Sequence, residues 1–116
     1  MLSFVERMFP FLRPEEFLEI ESESHSGLSL RCGRARTVFD RLSRAVTRNG
    51  KLVATFGAIQ HVRVAEEPTQ GGPVLWSVSL QLSGSRTVPI GRASDGKVAS
   101  TAAARIATVT GVRVLA

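Results

Sequence analysis

The sequence predicts a mainly β, α+β domain in which meandering antiparallel strands are followed by one C-terminal helix, with a short helical arm at the N-terminus. Three observations carry this reading. Asn49-Gly50 lies between two runs of strand character, the segment Val74 to Leu82 alternates apolar and polar residues, and the apolar spacing becomes helical after Asp95. With 116 residues, 43% of them hydrophobic and 22% charged, the chain has the size of one domain. Such a chain buries roughly two-thirds of the surface its unfolded form exposes, so a true core is expected.

The arm comes first. Ser3 with Glu6 three residues on forms a capping-box pattern, and Phe4, Val5, Met8, Phe9 and Leu12 share one helical face. Pro10 sits badly inside this helix, whereas Pro14 fits as the first residue of a second turn, Pro14-Glu-Glu-Phe-Leu18. Four of the six phenylalanines, Phe4, Phe9, Phe11 and Phe17, fall here. Such a stripe either covers an open end of the chain's own core or docks on a partner; the flanking glutamates are repelled by an anionic membrane. Residues 21–27, Glu-Ser-Glu-Ser-His-Ser-Gly, are polar and predict a loop. The division is therefore an arm and loop over 1–27 and a β-rich domain over 28–116.

Within that domain, Leu28-Ser-Leu-Arg31 and Arg36-Thr-Val-Phe39 alternate at strand period. Ala35, Val38, Phe39, Leu42 and Val46 also recur at helical spacing, so residues 35–46 fit either strand-turn-strand or a basic amphipathic helix. Asn49 and Gly50 both tolerate the positive φ of a type I′ turn, which pairs Val46–Arg48 with Lys51–Phe56. In the register of a two-residue loop, Arg48 faces Lys51, Val46 faces Val53 and Arg44 faces Thr55; the opposite face, with Leu52, Ala54, Phe56, Thr47 and Ala45, is expected to be buried.

Ile59–Val64 predicts a further strand and Glu66–Pro73 a turn. In the next strand Val74, Trp76, Val78, Leu80 and Leu82 point one way, as in a half-buried antiparallel strand, and Trp76 is expected in the core against Ala102 and Ala103. Ser83-Gly84-Ser85 turns the chain into Arg86–Gly91, where Pro89 removes a ladder donor and implies an edge or terminal position. A helix follows with Val98, Ala99, Ala102, Ala103, Ile106 and Val109 on its apolar face and Arg105 opposite. Ser94 or Asp95 caps its start, Gly111 stops it, and Val112–Leu115 is extended.

This order, together with the Ile59-x-x-Val62 step, the Trp76-x-Val-x-Leu80 strand and the closing alanine-rich helix, resembles small bacterial domains of the pleckstrin-homology-like type over residues 35–116. The resemblance implies a strongly bent antiparallel sheet or partial barrel capped by the helix, in a superfold used mainly to bind lipids or proteins. Members that bind phosphoinositides carry basic residues around the first hairpin, and Arg44, Arg48 and Lys51 are similarly placed. The following strand, Leu52–Phe56, lacks the usual basic pair.

The net charge of +5 is uneven. Residues 1–30 hold two arginines against six glutamates, whereas residues 31–51 hold Arg31, Arg34, Arg36, Arg41, Arg44, Arg48 and Lys51 against Asp40 alone. Clustered arginines pair well with phosphate or carboxylate. Thirteen arginines against two lysines, with abundant alanine, valine and glycine, also fit a GC-rich coding bias and a solvated face.

Catalytic patterns are weak. Gly91-Arg-Ala-Ser-Asp-Gly96-Lys97 lies between a strand and a helix like a phosphate loop, but Val98 stands where a Mg²⁺-binding hydroxyl is needed. A Ser/Asp-Gly turn capping a helix accounts for the same residues. Cys32 with His25 or His61 lacks the spacing of a nucleophile and base, and the single cysteine permits no intrachain disulfide. Glu15-Glu16 and Glu66-Glu67 are sequence neighbours whose side chains diverge.

No apolar run reaches the ~20 residues of a transmembrane helix, and Met1–Arg7 lacks the order of a secretory signal. The expectation is a cytoplasmic, non-enzymatic binding domain without catalytic residues, metal, cofactor or nucleotide. Its partner would be a protein or a second copy, met through a sheet edge or the arm. The alternative is an anion-binding module that contacts nucleic acid or acidic lipid through Arg44, Arg48 and Lys51. Against nucleic acid, exposed aromatics are scarce and tyrosine is absent.

Overall fold

The computed structural model describes residues 17–116. They run as β1 (Leu18–Ser24), β2 (Gly27–Cys32), β3 (Ala35–Asp40), β4 (Ala45–Arg48), β5 (Lys51–Thr55), β6 (Ile59–Glu67), β7 (Leu75–Leu82), β8 (Thr87–Ala93), α1 (Gly96–Thr110) and β9 (Arg113–Leu115). The first five strands form one antiparallel meander in sequence order; the second sheet has the order β8-β7-β6-β9, with β9 parallel to β6. Thus the described chain is mainly β with one C-terminal helix, but it holds two open sheets where one bent sheet or partial barrel was expected. The 3-10 turn Phe56–Ala58 separates them, carrying the chain from β5 into a strand that pairs elsewhere. The predicted helical arm, up to residue 16, lies outside the described residues.

Alternation explains the first sheet. Leu28, Phe39, Val46 and Ala54 sit in register across β2 to β5, all facing inward and buried. From the second sheet Val62, Val64, Val78, Leu80, Val88 and Ile90 join the same core. Both sheets pack on α1, which presents Ala99, Ala102, Ala103, Ile106 and Val109. Burial of each large apolar side chain contributes about 1.5–3 kcal/mol, while the alanines let the helix axis lie close to the strands. Asp95 caps α1 by accepting from the Lys97 N–H at 2.8 Å, and Gly111 ends it at φ 80°, as its residue type predicts.

Residues 35–46 resolve into two strands, with Asp40 ordering the turn between them: its carboxylate accepts from Leu42 N at 3.0 Å and Ser43 Oγ at 3.1 Å. The Asn49-Gly50 hairpin forms with φ of 50° and 84° and Arg48 opposite Lys51. Asn49 fixes it to β3 by accepting from Arg36 N through its side chain and donating its own N–H to the Arg36 carbonyl, both at 2.9 Å. Pro89 stands on β8, an outer strand, as its missing donor requires.

Several expectations are overturned. The predicted loop over 21–27 is largely strand: β1 pairs with β2 from Leu18 to Ser24, so the sheet begins before Leu28. Its polar residues belong to an outer strand exposed beyond Ile20, where water meets both faces. In the hairpin, a bulge after Leu52 pairs Val46 with Ala54 and turns Val46 and Ala54 inward together. The expected buried face is therefore broken, and Leu52 is 65% exposed. Trp76 is half-buried and lies on Gly96, not over Ala102 and Ala103. Its strand position faces the helix stripe of Gly96, Ser100 and Ala104, one side of the buried alanine stripe. Val98, assigned to the apolar face, is 42% exposed at that face's margin, and Val74 lies exposed outside β7.

Two outcomes test this packing. A Cβ at Gly27 would lie 2.2 Å from the Phe39 carbonyl oxygen, a backbone atom with little room to yield. Gly27→Ala should therefore lower stability by about 2–3 kcal/mol in urea denaturation. On the outer face, Glu21 binds Arg36 through both carboxylate oxygens, at 2.7 and 3.2 Å, with Arg31 at 3.8 Å. The Arg36 hydrogen bond holds the Glu21 carboxyl below its ordinary 4.5. A carboxylate depressed on folding stabilises above its unfolded pKa, and that contribution fades as pH falls through the folded value. The stability gap between wild type and Glu21→Gln, measured by urea denaturation, should be present at pH 7 and close as acid is added below pH 4.5.

Candidate functional site

Two surfaces arise where the sheets fail to join. The first is the seam between the hairpin end of the five-stranded sheet and the outer strand β8. Arg48 follows Val46 on the inward face of β4, and its Nη2 donates across the seam to the Pro89 carbonyl. The resulting cleft, of about 510 Å³, is lined by Cys32, Arg48, Glu67, Ser77, Ser79 and Arg92 among others. Two guanidinium groups against one carboxylate make it cationic. Beside Arg48, on the facing strand, stands Thr37, 1% exposed and its direct cross-strand partner. Thr37 Oγ1 and Arg48 Nε are both shielded from solvent, and neither has a hydrogen-bond partner among the described residues. Each such group costs about 1–3 kcal/mol of desolvation.

The second surface is a groove of about 430 Å³ between β1 and α1, floored by Leu18, Ile20, Val98 and Ala102 and flanked by Glu19 and Lys97. Among the described residues β1 is the outer strand of its sheet. Ile20 and Val98 remain 37% and 42% exposed there. At the far end of β1, Glu23 pairs with Arg105 of α1 at 3.5 Å and ties the strand to the helix.

The three basic residues selected from the sequence are only partly brought together. Arg48 and Lys51 are direct partners across the hairpin. Arg44 lies outside β4, in the turn before it, at φ 54°, with its guanidinium 5.7 Å from the centre of the Phe56 ring. Sequence reasoning missed Leu18, Ile20, Val98 as a groove residue, and Thr37. The Leu18-Glu-Ile20 alternation was a usable signal for the groove, but the arm's helical pattern obscured it. No local signal marks Thr37, whose isolation depends on the opposite sheet.

The weak catalytic patterns stay apart. Cys32 closes β2 while His25 lies in the turn before its start, about 20 Å along the strand. Cys32 packs near Gly91 of β8, from which β7 separates the β6 residue His61. At the phosphate-loop-like segment, Asp95 already occupies the Lys97 amide in the first turn of α1 and puts a negative charge where a phosphate would sit. Among the described residues no three His, Cys, Asp or Glu side chains cluster as metal ligands, and no helix is long and apolar enough to cross a membrane. Comparison with known protein families, with characterised proteins and with solved structures returned no match.

If Thr37 Oγ1 gains nothing from the protein, Thr37→Val should raise stability by about 1 kcal/mol, read from the urea midpoint at unchanged slope.

Proposed function

We propose that this chain is a non-enzymatic binding domain that takes an extended segment of a protein partner along β1, in the groove shared with α1. The observation that carries the reading is the pairing of an outer strand with an apolar groove. The strand offers backbone donors and acceptors, and Leu18, Ile20, Val98 and Ala102 accept alternate side chains. Charge argues for a different molecule over a second copy. Antiparallel pairing of β1 with itself would set Glu19, Glu21 and Glu23 against the same residues, and like charges facing one another across strands are destabilising. The fitting segment alternates apolar residues with polar or basic ones.

The pleckstrin-homology-like part of this reading draws support from the order of elements: a five-stranded meander, three further strands and a late helix packed on both sheets. A polyanion held by Arg44, Arg48 and Lys51 fits less well. Arg48 is engaged at the seam, leaving Arg44 and Lys51 at opposite ends of the hairpin.

Selection from a displayed random-peptide library should yield alternating apolar and basic sequences whose binding shifts the amide resonances of β1. Ile20→Asp and Val98→Asp, at half-exposed positions, should weaken that binding at least tenfold with little loss of stability. Sedimentation of the unliganded chain should show no β1-dependent dimer. Selected peptides that shift only the seam or the basic hairpin, or a dimer abolished by Ile20→Asp, would overturn the reading.

A further inference from the structure

We infer that the seam between the sheets is a second, independent site, for the oxyanion head of a small molecule, a carboxylate or a phosphate. Two shielded donors, Arg48 Nε and Thr37 Oγ1, belong to residues paired directly across facing strands and have no acceptor among the described residues. Buried donors are rarely left so, and one oxygen placed between them accepts from both. Arg48 Nη2 is held on the Pro89 carbonyl, which fixes the guanidinium at the cleft instead of letting it extend into solvent.

The rest of the cleft suits the same ligand class. Arg92 brings a second guanidinium on the β8 side, and Ser77 and Ser79 offer hydroxyls from β7. Glu67 on the wall leaves the charge balance positive by one and favours an anion that also carries a donor group. A cleft of about 510 Å³ lies within the range of small-molecule sites, roughly 300–1,000 Å³, and is far too small for a folded partner. The peptide groove lies elsewhere, between β1 and α1, so the two sites are separable by mutation.

The test is an amide NMR titration of the full chain with inorganic phosphate and, separately, with acetate, using sodium chloride at matched ionic strength as the control. Saturable shifts at Thr37, Ser77, Ser79 and Gly91 with either probe support the site, and the probe that binds tighter assigns its head group. Arg92→Gln should weaken the saturable component at least tenfold, whereas Arg113→Gln, on β9, should leave it unchanged. Arg48→Gln should act like Arg92→Gln. Because Arg48 also joins the two sheets, Thr37→Val provides the separate check: it should weaken binding severalfold in a chain no less stable than wild type. Shifts that fail to saturate, that sodium chloride reproduces, or that survive both Arg92→Gln and Thr37→Val would overturn the inference.

Discussion

Neither sheet of this protein can bury its inner face alone, and the narrow face of α1 is the surface on which both do so. Ala99, Ala102, Ala103 and Ile106 are almost wholly inaccessible and belong to the same cluster as Phe39 and Val46 from one sheet and Val62 and Leu80 from the other. Small side chains are what make a shared helix possible, since larger ones would hold the sheets too far from its axis for their own residues to meet. The helix is fixed at both ends by local chemistry, an aspartate that accepts the Lys97 amide in its first turn and a glycine that turns the chain away. Its position therefore does not depend on the sheets being joined as one ladder, and no strand of one sheet pairs with a strand of the other among the described residues.

Both candidate surfaces follow from that construction. A closed barrel would pair β1 and β8 with other strands; among the described residues each is an outer strand, one bordering the apolar groove and the other the cationic seam. The groove is apolar because the helix margin, Val98 and Ala102, continues the core past the last well-covered strand residue. The seam is polar because the inward positions of β3 and β4 change along their length from Phe39 and Val46 to Thr37 and Arg48.

Much of the fold was legible in the sequence, and the reasons for the rest are specific. Asn49-Gly50, Pro89, the capped helix and its glycine stop are local signals, and each appears where its chemistry places it. Bulges are long-range accommodations and left no such signal: the one in β5 keeps Ala54 in the core but turns Leu52 out of it. β1 was obscured because its polar side chains find their partners in Arg36, Arg31 and Arg105, which local pattern does not bring to mind. Of the basic residues picked out by charge, Arg48 lines a cleft, but the position that singles it out, beside Thr37 and across from Pro89, required both sheets.

The parallel pairing of β9 with β6 has a consequence for how the chain is made. Strand β6 has β7 on one flank soon after it emerges from the ribosome, but its other flank is filled only by residues 113–115, after β8 and the whole of α1 have been synthesised. Throughout that interval the nascent chain carries an open edge in the middle of its second sheet, with His61, Val62 and Arg63 able to pair with any strand nearby. Closing it brings together segments separated by most of the second half of the chain, which makes this the strand pairing most dependent on loop closure. Crowded synthesis on polysomes is thus the setting in which mispairing at β6 competes most directly with folding.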